Sequence, residues 1–133
     1  MLDVMRILVY FGSVAKRLRW LGSTLEDLRE QPEDVREFMG SALREAQEGG
    51  KADEARPMKG KLRDVTEVPQ NVPGGTLRLM YTVKIDDDIY VLDFFQKKSK
   101  SGIATPQADL DRIEQRLKQA RALAAEAKKA KHS

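Results

Sequence analysis

The sequence predicts an α+β domain: a helical hairpin, then an antiparallel meander of strands, then a terminal helix. Three observations carry that reading. Apolar residues recur at helical spacing between Val35 and Ala46, β-prone runs follow Gly60, and a last apolar stripe opens at Leu110. A chain of 133 residues fits one domain and buries roughly two-thirds of its unfolded surface without staples.

Residues 5–11 and 16–21 read as extended segments, the second alternating well enough for a half-buried strand. Ser23 followed by Glu26 reads as a capping box that opens a short helix running to Glu30. Pro32 suits the first turn of a second helix, whose apolar face is Val35, Phe38, Met39, Ala42, Leu43 and Ala46. Gly49-Gly50 ends it. Leu62 to Val68 then reads as a strand and Pro69 to Gly75 as a turn. Thr76–Ile85 and Ile89–Gln96 form a hairpin around Asp86-Asp87-Asp88. Thr105 is set to cap a final helix with Pro106 at its first position. Leu110, Ile113, Leu117 and Leu123 give that helix an apolar stripe, which Ala120, Ala124 and Ala127 extend. The organisation predicted is an N-terminal extension (1–15), one folded domain (16–127) and a basic disordered tail (128–133).

Composition removes whole classes of chemistry. Cysteine is absent and the single histidine is His132, which excludes disulfides, thiolate nucleophiles, zinc–cysteine sites and serine–histidine triads. No phosphate-loop, dinucleotide or nucleophile-elbow motif is present. Asp86, Asp87 and Asp88 lack the glycine turn and distal glutamate of a calcium loop and read as a solvated hairpin tip. No apolar run nears the roughly 20 residues of a bilayer span, and Ile7–Phe11 is short for a signal-peptide core, so a cytoplasmic protein is expected.

Charge is unevenly spread. Residues 1–96 carry 14 basic and 17 acidic side chains, whereas residues 97–133 carry 10 and 4. A basic C-terminal third suggests a polyanion-facing surface or an acidic partner. Lys97, Lys98 and Lys100 follow the last strand directly; Lys59, Lys61 and Arg63 lie at the start of the meander; Arg78 lies within its middle strand. Neighbouring strands would gather these groups where they attract phosphates. The planar fork of a strand-borne arginine suits paired phosphate oxygens. Alternatively, Arg78 pairs across the sheet with Glu67 or Asp93.

At these residues the chain resembles the RelE/ParE superfamily of type II toxins, in its phage-derived, HigB-like branch. The matching residues run from about Leu18 to Leu117. The strongest block is Tyr90-Val91-Leu92-x-x-Phe95-Gln96-Lys97-Lys98-Ser99-Lys100-x-Gly102-Ile103-Ala104-Thr105-Pro106. It is preceded in order by Ala46-Gln47-x-Gly49-Gly50-Lys51, Pro57-x-Lys59-Gly60 and Thr76-x-Arg78-x-x-Tyr81-Thr82-Val83. The resemblance implies a RelE-like fold, with the helical hairpin packed on a small twisted antiparallel sheet. It implies a partner antitoxin bearing a helix-turn-helix domain, and a ribosome-dependent endoribonuclease that cleaves mRNA to inhibit translation, without metal or other cofactor. Arg78 then contacts the scissile phosphate, while Lys59, Lys61, Lys97, Lys98 and Lys100 hold RNA.

The chain also departs from the pattern. Asp93 stands where histidine is frequent in this branch, Leu77 replaces a common tyrosine, and Lys61-Leu62-Arg63-Asp64 replaces a glycine-rich passage. The general base is therefore open among Glu67, Tyr81 and Asp93. Two other readings stand beside the nuclease: a non-catalytic RNA-binding or antitoxin-sequestering relic, and a ParE-like DNA gyrase poison.

Overall fold

The computed structural model describes residues 15–97 and 105–132. Strands β1 (Leu18–Trp20), β2 (Arg56–Pro57), β3 (Thr66–Val72), β4 (Gly75–Thr82) and β5 (Ile89–Lys97) form one sheet in the order β1-β5-β4-β3-β2. The pairs from β2 to β5 are antiparallel, as expected of the meander, although no strand was expected at Arg56–Pro57. The edge strand β1 runs parallel to β5, so the sheet is mixed.

Helices cover both faces. The hairpin of α1 (Thr24–Arg29) and α2 (Glu33–Gln47) buries Leu28, Val35, Met39 and Leu43 against Val68, Leu77, Leu79, Tyr81 and Val91. On the other face α3 (Gln107–His132) buries Ile113, Leu117 and Ala120 against Leu62, Val65, Met80, Tyr90 and Leu92. The predicted α+β fold with its N-terminal helical hairpin and C-terminal helix is thus what the chain adopts.

Helix α2 ends in a Schellman motif. Gly49 takes φ +89°, its N–H donates to Ala46 O, and the Gly50 N–H donates to Glu45 O. At the other end Pro32 is the N-cap, one residue earlier than the sequence suggested. The capping box at α1 does not form: the Ser23 hydroxyl donates to the Asp27 carboxylate (2.8 Å) instead of accepting from the helix backbone.

The largest difference lies after Gly60. Residues 60–62 form a 3-10 turn, and β3 starts at Thr66 and continues through Pro69 to Val72, where a turn was expected. The turn is only Pro73-Gly74, with Gly74 at φ +89°, as a type II turn requires after proline. Proline is tolerated within β3 because β2 pairs only with Thr66 and Glu67, leaving an open edge beyond. In a two-residue hairpin the closing pair shares both hydrogen bonds and alternate pairs share none. Pro69, three residues from the closing Val72, therefore turns its donor-less nitrogen to that edge.

Helix α3 begins at Gln107, with Pro106 O accepting from Asp109 and Leu110, so Pro106 occupies the cap and Thr105, the expected cap, lies one residue before it. Leu123 falls off the buried stripe and is exposed, because Ile113, Leu117, Ala120 and Ala124 already define the packed face. The expected disordered tail at 128–133 is helical as far as His132, as its alanines and lysines favour. The extended segment read at 5–11 lies outside the described residues.

Candidate functional site

A β-bulge sets which side chains share a face. Met80 pairs with Asp93 but Tyr81 pairs with Val91, so Leu92 is the extra residue of β5. Every position after it changes face relative to simple alternation. Asp93, Phe95 and Lys97 therefore share the α3 face with Arg78 of β4 and Glu67 of β3.

On that face Glu67, Arg78 and Lys97 lie diagonally across three adjacent strands. Glu67 is opposite Met80, two residues along β4 from Arg78; Lys97 is opposite Thr76, two residues the other way. Arg78 Nη1 donates to Glu67 Oε2 at 2.6 Å, and Arg56 Nε donates to Glu67 Oε1 at 3.0 Å. The Arg78 and Glu67 side chains are only 10% and 8% exposed. Arg78 thus takes the cross-strand partner that was the alternative to a phosphate. One donor is left over: Arg78 Nε is buried and has no hydrogen-bond partner among the described residues. An unmet buried donor costs roughly 1–3 kcal/mol, which an incoming anionic oxygen would recover.

Lys97 was expected as a surface grip after the last strand. It is instead the final residue of β5 and 4% exposed. Burial, and then the neighbouring Arg78 charge, hold its ammonium below the ordinary lysine pKa; Glu67 and Asp109 act in the opposite sense.

The other sequence-predicted residues are dispersed. Tyr81 lies on the opposite face, in the core against α2, where burial raises its phenol pKa against a bond from Thr66. Asp93 shares the Arg78 face but is held from α3, with Arg112 Nε on Oδ2 at 2.8 Å and Arg116 Nη1 on Oδ1 at 2.9 Å. Lys59 is exposed beside the 3-10 turn, and Lys61 pairs with Glu114 of α3 at 2.9 Å. Lys98 and Lys100 lie outside the described residues.

Four side chains to which the sequence assigned no role shape this region. Arg56 completes the Glu67 carboxylate, and Arg112 and Arg116 lock Asp93. Phe95, opposite Arg78, lies under the Arg112 guanidinium at 5.3 Å. A signal existed for the two helical arginines, because residues four apart on a helix share a face.

At the far end of the sheet, Asp88 accepts from Arg17 (3.1 Å) and Arg19 (3.3 Å), and Asp86 accepts from the Tyr90 hydroxyl (2.9 Å). Burial and that bond push the Tyr90 pKa up to about 12. The aspartate run is therefore partly consumed by ion pairing rather than wholly solvated. Among the described residues no cluster of His, Asp or Glu is arranged to hold a metal, and no helix is long and apolar enough to cross a membrane.

The family model for phage-derived proteins of the Gp49-like type (DUF891) matches residues 26–118, which take in most of α1, all of α2, β2 to β5 and the first half of α3. The chain belongs to this family, which is RelE-like and toxin-like in character. No curated protein and no solved structure gives a match to the chain.

Proposed function

We propose that this protein is the toxin of a type II toxin–antitoxin pair, of the HigB-like branch, and that it acts as a ribosome-dependent mRNA endoribonuclease. The observation that carries the reading is Arg78: a buried guanidinium inside the family's matched region, with an unmet Nε–H and a carboxylate held at its side. RNA cleavage by the adjacent 2′-hydroxyl needs an acceptor for that proton and positive charge on the phosphorane-like transition state. Glu67 is the candidate acceptor best supported because it touches Arg78 directly, whereas Tyr81 lies on the other face and Asp93 is tied to α3. Both Glu67 oxygens are also engaged, by Arg78 and Arg56, so one must be released for the carboxylate to take a proton. Arg78 would turn from Glu67 toward the phosphate as the carboxylate takes the proton and loses its charge. Lys59, Lys98 and Lys100 would hold the RNA, and an antitoxin with a helix-turn-helix domain would be the natural inhibitor.

The test is brief expression in a bacterium without antitoxin, with primer extension on cellular mRNA. Growth arrest with breaks at ribosomal A-site codons is the expected result. Soluble protein with normal growth would overturn it. A second reading, a non-catalytic RNA-binding relic, is favoured by the sealed Arg78–Glu67 pair. It predicts ribosome binding with intact mRNA.

A further inference from the structure

We propose that Lys97 is the catalytic proton donor to the departing 5′-oxygen, a role distinct from gripping RNA. This rests on the endoribonuclease reading above. A lysine that grips a phosphate backbone keeps its ammonium at the surface, where it meets phosphates of any register. Lys97 is 4% exposed and sits at the end of β5, on the same face as Arg78 and one step further along the diagonal from Glu67. That order places the proton acceptor and the proton donor on opposite sides of the guanidinium. An in-line displacement needs this arrangement, because the attacking and leaving oxygens lie on opposite sides of phosphorus.

The electrostatics agree with the placement. Among the described residues, the charged groups that bear on Lys97 include Arg78 from β4, Glu67 from β3 and Asp109 from α3. Burial and Arg78 lower its pKa, and the two carboxylates act in the opposite sense. A lysine with a lowered pKa is a better acid than an exposed one, since proton transfer is most efficient when the donor pKa approaches the working pH.

The step balances. The 2′-oxygen forms a bond to phosphorus and its proton passes to the Glu67 carboxylate. The bond from phosphorus to the 5′-oxygen breaks, and that oxygen takes a proton from Lys97 Nζ. The products are a 2′,3′-cyclic phosphate and a 5′-hydroxyl. Lys97 is left neutral and Glu67 protonated, and solvent exchange restores both.

The experiment uses the full chain on programmed ribosomes, with mRNA carrying a normal A-site linkage or a single 5′-bridging sulfur there. A thiolate leaves without protonation, so sulfur removes the need for an acid. With the oxygen linkage, Lys97→Met and Lys97→Arg should slow the bound step by roughly a hundredfold or more, with little change in KM. With the sulfur linkage both should return to within about tenfold of wild type, whereas Arg78→Ala should stay slow. Lys97→Arg keeps length and charge but holds its proton too tightly, so it carries the test if Lys97→Met folds poorly. Wild-type rates for both variants on oxygen, or no rescue by sulfur, would overturn the assignment while leaving the nuclease intact. A wild-type protein that cleaves neither linkage would overturn both.

Discussion

Glu67 and Arg78, on neighbouring strands, form a buried ion pair at 2.6 Å, and Arg56 holds the second oxygen of the same carboxylate. The pair is sealed on the α3 face of the sheet, where Arg78 is 8% exposed overall. Removing Glu67 alone is therefore costly, because a guanidinium stripped of its partner in such a site stays uncompensated.

The first prediction is therefore an asymmetry. Glu67→Ala should destabilise the domain by about 3–5 kcal/mol, since Arg78 remains buried and unpaired. The double variant Glu67→Leu with Arg78→Met should recover most of that loss while remaining inactive. Urea unfolding of the three proteins checks it. Equal losses in the single and double variants would show that the pair is not a sealed unit.

Asp93 should prove to be the tether of α3. Its side chain is 5% exposed but its partners Arg112 and Arg116 are 36% and 23% exposed, so both can regain water when released. Asp93→Ala should accordingly cost about 1–3 kcal/mol, less than a fully sealed pair. Hydrogen exchange should quicken along α3 and leave α2 unchanged. A variant of wild-type stability that has lost only cleavage would restore Asp93 as a general base.

Gly22 and Arg116 should show coupled effects. Gly22 has φ +57°, and an added Cβ would lie 2.7 Å from Arg116 Nη2. Gly22→Ala should cost at least about 1–2 kcal/mol from the left-handed backbone alone, plus displacement of Arg116 from Asp93 and Leu92 O. In a thermal-unfolding cycle, Gly22→Ala should be less harmful in an Arg116→Ala background. Strict additivity would mean that the clash relaxes at no cost.

For the surface lysines, the expectation concerns affinity. Replacing Lys59, Lys98 and Lys100 with alanine should weaken ribosome or RNA binding. The log–log salt slope should fall by a little under ~1 for each phosphate left without its lysine. Parallel titrations at two salt concentrations would remove these lysines from the site. Lys61 should contribute less, because Glu114 already holds it.

Lys97 also makes a stability prediction with a definite sign. Its pKa is below 10.5 in the folded chain and returns toward that value on unfolding. Between the two, the unfolded chain binds more protons, so stability rises with pH through that window. Below it both states are charged and the slope from this group vanishes. The unfolding free energy of wild type minus that of Lys97→Met should therefore increase from pH 7 to pH 10; a flat difference would contradict the lowered pKa.

The α+β class, the helical hairpin from Ser23 to Gly50, the β4–β5 hairpin and the stripe of α3 are legible in the amino-acid order alone. Each of these is written in a local period: helical spacing from Val35 to Ala46, β-branched and aromatic runs at Thr76–Gln96, glycine at the end of α2. That order also put Arg78 on a strand and offered Glu67 or Asp93 as its cross-strand partner, without choosing between them or against a phosphate. That β1 adds to β5 in parallel, that Pro69 lies inside a strand, and which charged groups share a face follow from long-range pairing in the folded chain. The reason is physical. Pairing across the sheet depends on residues far apart in the chain, and a single extra residue, Leu92, reverses the facing of everything after it in β5. No local pattern announces that bulge. It carries Lys97 from the α1–α2 face that simple alternation assigns to the α3 face, into the buried row beside Arg78, and it turns Asp93 toward two arginines that lie 19 and 23 residues further on.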